Sequence, residues 1–99
     1  MEEPRGVEGR VCIVTGAARG IGRAIGEALL DQGAKVCFAD LNGAQVEAVA
    51  EFNRGRAGIA PDAVCSAPVD VRDRHQTRAM METCVAAFGR LDVMFNNAG

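Results

Sequence analysis

Short runs of consecutive apolar residues alternate along this chain with longer stretches whose apolar positions recur at helical spacing. Val11-Cys12-Ile13-Val14-Thr15 reads as a first strand. From Gly20 to Gln32 the spacing predicts a helix with Ile21, Ala24, Ile25, Ala28 and Leu29 on one face, stopped by Gly33. Lys35-Val36-Cys37-Phe38-Ala39 is a second strand ending at Asp40. Asn42 is placed to cap a second helix in which Val46, Val49 and Ala50 share a face. Gly55, Gly58 and Pro61 mark residues 53–62 as a loop, and residues 63–69 form a third strand. Asp73 is expected to cap a third helix that sets Met81, Cys84, Val85 and Phe88 on one side and stops at Gly89. Met80 and Met81 read as helix packing or surface. Residues 91–95 form the fourth strand.

Strands alternating with helices indicate an α/β protein with a parallel sheet. Four strands joined by three crossover helices fit the first half of a Rossmann-type, doubly wound fold with strand order 3-2-1-4. Right-handed crossovers put the first two helices on one face and the third on the other. One face is then under-covered and the fourth strand is an open edge, whereas a parallel sheet normally has both faces buried. The expectation is a domain cut off after its fourth strand.

A chain of 99 residues holds one domain at most. Its hydrophobic share of 48% and charged share of 24% are those of a soluble globular protein. A net charge of −2 gives no electrostatic footprint for nucleic acid or an anionic membrane. Residues 1–9 form a polar, acidic extension without the basic flank and apolar stretch of a signal peptide. No apolar run approaches the ~20 residues that span a bilayer, so a cytoplasmic location is expected. Cys12, Cys37, Cys65 and Cys84 contain no C-x-x-C pair, and the single histidine, His75, has no ligand-like neighbours. No metal site is expected. Cys12, Cys37 and Cys65 fall in strand runs, where a reduced thiol acts as a small hydrophobe. His75 reads as a surface residue near a helix start.

The strongest chemical signal is Thr15-Gly16-Ala17-Ala18-Arg19-Gly20-Ile21-Gly22, lying directly between a strand and a helix. Glycine there permits a tight turn, close approach of backbone to a pyrophosphate, and close helix–strand packing. The helix it opens aims free N–H groups and the positive end of its dipole at a phosphate. Asp40 lies 18 positions past Gly22, near the ~20 expected of an acid that binds adenosine ribose hydroxyls.

The spacing T-G-x-x-x-G-x-G resembles that of the short-chain dehydrogenase/reductase family. Asp40 at the end of the second strand, Asp70-Val71 after the third and Asn96-Asn97-Ala98-Gly99 after the fourth strengthen the resemblance. It covers residues 10–99, which would then be part of an NAD(P)-binding domain. The resemblance implies cofactor contacts from Gly16, Ala17, Arg19, Gly20, Ile21 and Gly22 in the loop. Asp40 and Leu41 would lie at the adenosine ribose, Asp70 at the adenine amine, and Val71 against the ring. Asn97 and Ala98 would lie near the ribose on the nicotinamide side, with Asn96 holding the sheet. A carboxylate at Asp40 repels a 2′-phosphate and favours NAD. Arg19 opposes this, since a guanidinium there pairs with a 2′-phosphate, but Leu41 adds no second positive charge. NAD is preferred to NADP. Arg19 also reads as a solvated loop residue, and Asp70 as a strand-end turn residue.

Family members transfer a hydride between the nicotinamide and an alcohol or carbonyl carbon. A tyrosine serves as acid/base, helped by a lysine four residues on, a serine and an asparagine. This chain contains no tyrosine, and its only serine, Ser66, lies in the third strand. None of the catalytic roles can be placed, so the chain alone is expected to be inactive. The resemblance implies a small alcohol or carbonyl substrate and a homo-oligomer for the full-length enzyme. The alternative reading is a naturally short, non-catalytic module that binds a dinucleotide or a partner.

Overall fold

The computed structural model describes residues 6–97. Four strands, β1 (Val11–Val14), β2 (Lys35–Asp40), β3 (Val64–Pro68) and β4 (Val93–Phe95), form one parallel sheet in the order β3-β2-β1-β4. Three helices connect them: α1 (Gly20–Asp31), α2 (Gly43–Arg54) and α3 (Arg74–Phe88). The register pairs Val14 with Phe38 and with Phe95, and Asp40 with Pro68. The C-terminal ends of β1, β2 and β3 therefore open at the same edge. Every residue of β1 is buried, as expected of a strand covered on both faces, which explains why it reads as an unbroken apolar run.

The two faces carry separate cores, as right-handed crossovers require. On one, Leu29 and Leu30 of α1 and Val46, Val49 and Ala50 of α2 pack on Cys12, Val14, Val36, Phe38 and Val64. On the other, Met80 and Cys84 of α3 pack on Val11, Ile13, Cys37, Ala39 and Ala67. This second face is the less covered one: Met94, level with Ile13 on β4, is exposed.

The structure corrects three details of the sequence reading. In α1 the buried residues are Gly22, Gly26, Leu29 and Leu30, while Ile21, Ala24 and Ala28 face solvent. The reason is steric. A Cβ on Gly26 would lie 2.9 Å from Cζ of the buried Phe38 ring, so the glycine edge of the helix, not its apolar edge, can approach the sheet. In α3, Met80 and Cys84 are buried, whereas Met81 and Val85 are exposed. Residues 53 and 54 belong to α2 rather than to the following loop. The buried Asn53 side chain donates to Val49 O at 2.9 Å and Glu27 Oε2 at 3.0 Å, and accepts from Arg56 Nη1 at 2.8 Å. An amide so fully partnered stabilises a helix end that composition alone assigns to a loop.

The expected caps are present. Asn42 Oδ1 accepts from Gln45 N at 3.0 Å, and Asp73 Oδ1 accepts from His75 N and Gln76 N at 2.9 and 3.2 Å. Loss of an N-cap costs about 1 kcal/mol. Asp73→Ala is accordingly expected to lower the thermal midpoint by roughly 4–8 °C in a domain of this size, measured by circular dichroism. An unchanged midpoint would show that α3 is held by packing alone.

Candidate functional site

The chain leaves β1 through residues 15–19 and enters α1 by a turn that two glycines make possible. Gly16 and Gly20 have φ of 65° and 63°, a left-handed conformation costly for any residue with a Cβ. Ala17 N donates to Ala39 O at 2.9 Å, drawing the loop over the end of β2. Ala17 and Ala18 are buried beneath it. A Cβ on Gly22 would run into the Gly16 carbonyl oxygen and would lie 2.7 Å from Asn97 Nδ2. The first turn of α1 is thus pressed against the loop it leaves.

Unlike α2 and α3, α1 begins without a capping side chain; its N-cap residue is Arg19. Its first-turn N–H groups and the positive end of its dipole remain available to an anion. Around this opening the chain exposes Ile21 (73%), Leu41 (70%) and Val71 (38%). Apolar side chains gathered beside polar groups are the usual walls of a ligand site.

Asp40, at the end of β2, is held from two sides. Its Oδ2 accepts from Ala18 N at 3.1 Å and its Oδ1 from Asn42 N at 2.9 Å. Charge-assisted bonds of this kind fix the carboxylate in one orientation. A cleft of about 400 Å³ runs between the ends of β2 and β3, bordered by Gly16, Asp40, Leu41, Asp70, Val71 and Arg72. A shallower hollow beside it brings Arg19 and Asp40 together with Asn42 and Gln45.

On the far side of the cleft, Asp70 N donates to Gln76 Oε1 at 2.8 Å. The Asp70 carboxylate accepts from the Arg72 guanidinium, which holds its carboxyl group below the usual range. Thr15 joins the loop to β4: its hydroxyl accepts from Asn97 N at 3.0 Å and reaches Phe95 O at 3.4 Å. Asn97 Nδ2 reaches Gly16 O at 3.5 Å. Ala98 and Gly99 lie outside the described residues.

The sheet edge therefore gathers the glycine loop, Asp40, Leu41, Asp70, Val71 and Asn97, with Arg19 and Ile21 exposed at its rim. Sequence reasoning did not single out Arg72, or the Ala18 and Asn42 amides that orient Asp40. The amides carry no side-chain signal. For Arg72 the available signal is its place two positions after a strand-end aspartate.

Among the described residues the remaining reactive groups do not form a metal centre, since no cluster of three or more His, Cys, Asp and Glu side chains is placed to hold an ion. Among the same residues no helix is long and apolar enough to cross a membrane. Cys12, Cys37 and Cys84 are buried, and burial raises the Cys12 and Cys84 thiols, the latter to about 11. Cys65 is half-buried beside Cys37. His75 is exposed at the start of α3.

The family model described as short chain dehydrogenase matches residues 10–99. The human 15-hydroxyprostaglandin dehydrogenase [NAD(+)] is 44% identical over 96 residues, which take in 94% of this chain and 34% of that protein. The D-threitol dehydrogenase of Mycolicibacterium smegmatis is 39% identical over 93 residues, with 94% and 34% covered. Among solved structures, the hydroxysteroid dehydrogenase of Escherichia coli superposes with a TM-score of 0.84 at 26% identity, covering 94% of this chain and 38% of that one. The 3-ketoacyl-(acyl-carrier-protein) reductase of Brucella melitensis, complexed with NADH, superposes with a TM-score of 0.76 at 29% identity, with 88% and 33% covered. The chain spans about a third of the length of the curated relatives it matches. With the family model matched along residues 10–99 and relatives 39–44% identical across 94% of it, this chain belongs to the short-chain dehydrogenases, a family of oxidoreductases.

Proposed function

We propose that this chain is the NAD-binding portion of an oxidoreductase that moves a hydride between NAD(H) and a small alcohol or carbonyl compound. The observation that carries the proposal is the pairing of two features at one sheet edge. The uncapped, glycine-opened start of α1 offers N–H groups to a pyrophosphate. Asp40 offers a fixed carboxylate to a ribose diol. The donor set suits the group: backbone amides for phosphate, a carboxylate for hydroxyls, and the exposed Ile21, Leu41 and Val71 for ring faces. The [NAD(+)] in the name of the human relative and the NADH bound in the Brucella reductase support the same cofactor.

In this proposal Gly16, Gly20 and Gly22 let the backbone approach the pyrophosphate, and Ile21 covers it. Asp40 and Leu41 receive the adenosine ribose, while Asp70 and Val71 receive the adenine. Asn97 and Ala98 border the nicotinamide ribose. Bound NAD supplies the hydride chemistry, and the residues of this chain supply binding and orientation. With no tyrosine in its 99 residues, the chain holds no group for the acid/base step its family resemblance implies. It is expected to bind cofactor without turnover by itself.

Nicotinamide fluorescence tests the binding step cleanly, because the chain contains neither tryptophan nor tyrosine to interfere. NADH emission is expected to rise and saturate with a dissociation constant between about 1 μM and 1 mM, the range enzymes use for substrates. ADP-ribose should reverse the rise. A folded protein that leaves NADH emission unchanged up to that limit would rule out the cofactor assignment.

A further inference from the structure

Three of the four cysteines meet on the face of the sheet that α3 covers. Cys37 and Cys84 are fully buried there, and Cys65 packs against the same cluster. Cys37 and Cys65 are register partners on the neighbouring strands β2 and β3. Adjacent strands lie about 4.8 Å apart, inside the roughly 4.4–6.8 Å between Cα atoms that a disulfide spans. The two thiols are not equivalent. Cys37 is enclosed, whereas Cys65 lies on β3, at the end of the strand order, and is only half-buried. The Arg54 guanidinium reaches the start of β3, where its Nη2 donates to Val64 O at 3.4 Å, one residue from Cys65. Hydrogen bonding from the Cys37 thiol holds the Cys65 thiol below its usual range against the opposing effect of burial, and Arg54 adds to the lowering. The same bond, with burial, pushes the Cys37 thiol up. An accessible thiol with thiolate character and a second thiol in reach is the arrangement that reversible cysteine oxidation uses.

We propose that Cys65 and Cys37 form a reversible dithiol–disulfide pair, in which Cys65 is oxidised by a small hydroperoxide and Cys37 resolves it. Neither residue borders the cleft that holds Asp40 and Asp70, so the pair stands apart from the cofactor reading. In the first step the Cys65 sulfur attacks one peroxide oxygen. An S–O bond forms, the O–O bond breaks, and the departing hydroxide takes the thiol proton and leaves as water. In the second step the Cys37 sulfur attacks the sulfenic sulfur of Cys65. An S–S bond forms, the S–O bond breaks, and the Cys37 proton leaves with the hydroxide as a second water. The two sulfurs together lose two electrons, which the peroxide accepts. Cys37 is the resolving thiol because it stands level with Cys65 on the next strand. Cys84 approaches from α3, and Cys12 belongs to the core on the opposite face.

The test treats the reduced, folded chain with hydrogen peroxide, blocks the remaining thiols with N-ethylmaleimide and maps the tryptic peptides by mass. Cleavage after lysine and arginine places Cys12 in residues 11–19, Cys37 in 36–54, Cys65 in 57–72 and Cys84 in 79–90, so each cysteine reports separately. Peptides 36–54 and 57–72 are expected to emerge joined, and dithiothreitol should part them. Cys65→Ser should slow the loss of thiols by about tenfold or more, since the buried thiols that remain are poor nucleophiles. Cys37→Ala should leave the sulfenic acid standing on Cys65, where a 1,3-dione labels it. Circular dichroism checks that each variant is folded, and the peptide map of the unaltered protein needs no substitution at all. Joining of 57–72 to 79–90 instead would make Cys84 the partner and overturn the pair. First oxidation at Cys12 or Cys84 would overturn it as well. So would a folded chain that keeps all four thiols under peroxide that oxidises free cysteine.

Discussion

Gly22→Ala is expected to destabilise the protein by about 3 kcal/mol, at the upper end of overpacking costs, and to abolish dinucleotide binding. The added methyl group would collide with the carbonyl oxygen and carbon of Gly16. Both are backbone atoms in a turn already fixed by left-handed glycines, so no side-chain rotation can relieve the contact. The loop must move away from α1, and Asn97 Nδ2, which faces the same point, must move with it. A loss of this size is a large share of the roughly 5–15 kcal/mol that holds a domain of about 100 residues folded. It corresponds to a thermal midpoint lower by 10 °C or more. Gly20→Ala is the informative contrast: nothing lies within 4 Å of its Cβ position, and its cost comes from φ of +63° alone. That strain is about 1 kcal/mol. Equal midpoints for the two variants would mean that contact between α1 and the loop does not limit stability.

Asp40→Ser is expected to lower the ratio of NAD to NADP affinity by about 100-fold or more. At 4 Å and an effective dielectric near 20, each pair of like unit charges repels by about 4 kcal/mol, reduced here by solvent because Asp40 is only half-buried. A net difference of about 2.7 kcal/mol remains a sound expectation and equals two factors of ten. Serine removes the charge, while Arg19 stays in the same hollow to meet a 2′-phosphate. The variant loses the charged acceptor for Ala18 N and Asn42 N, so a midpoint measurement must accompany the titrations. A ratio that barely changes would assign selectivity to another group, Arg19 first.

Most of the framework could be read directly because its signals are local. The three helix caps and stops at Asn42, Asp73 and Gly89, and the continuous apolar runs of β1 and β2, each follow from residues adjacent in sequence. The strand order came instead from the fit to a doubly wound fold, and right-handed crossovers then assigned each helix to its face. What failed depended on contacts between distant residues. The approach of α1 to the sheet is set by Phe38 lying under Gly26, which rotates the inner face away from Ile21, Ala24 and Ala28 while Ile25 and Leu29 still pack on the core. Asn53 stays helical because Glu27 and Arg56 satisfy it across α1 and α2. In α3, shifting the inner face by one residue exchanges Met80 for Met81, and periodicity over a helix of 15 residues does not resolve that shift.

The same division holds at the candidate site. Glycine spacing and strand-end acids located it, since parallel strands must deliver their C-terminal ends to one edge. The orientation of those acids was not legible. Asp40 is aimed by two backbone amides and Asp70 by Arg72, and these partnerships exist only once the loops close.

The most direct test of the central claim is a calorimetric titration of the folded protein with NAD and NADP in parallel. The account predicts saturable binding of NAD and at least tenfold weaker binding of NADP, with the NAD signal lost on Gly22→Ala. Tighter binding of NADP would make Arg19 rather than Asp40 the selecting group, and binding of neither would contradict the claim that this sheet edge is a dinucleotide site.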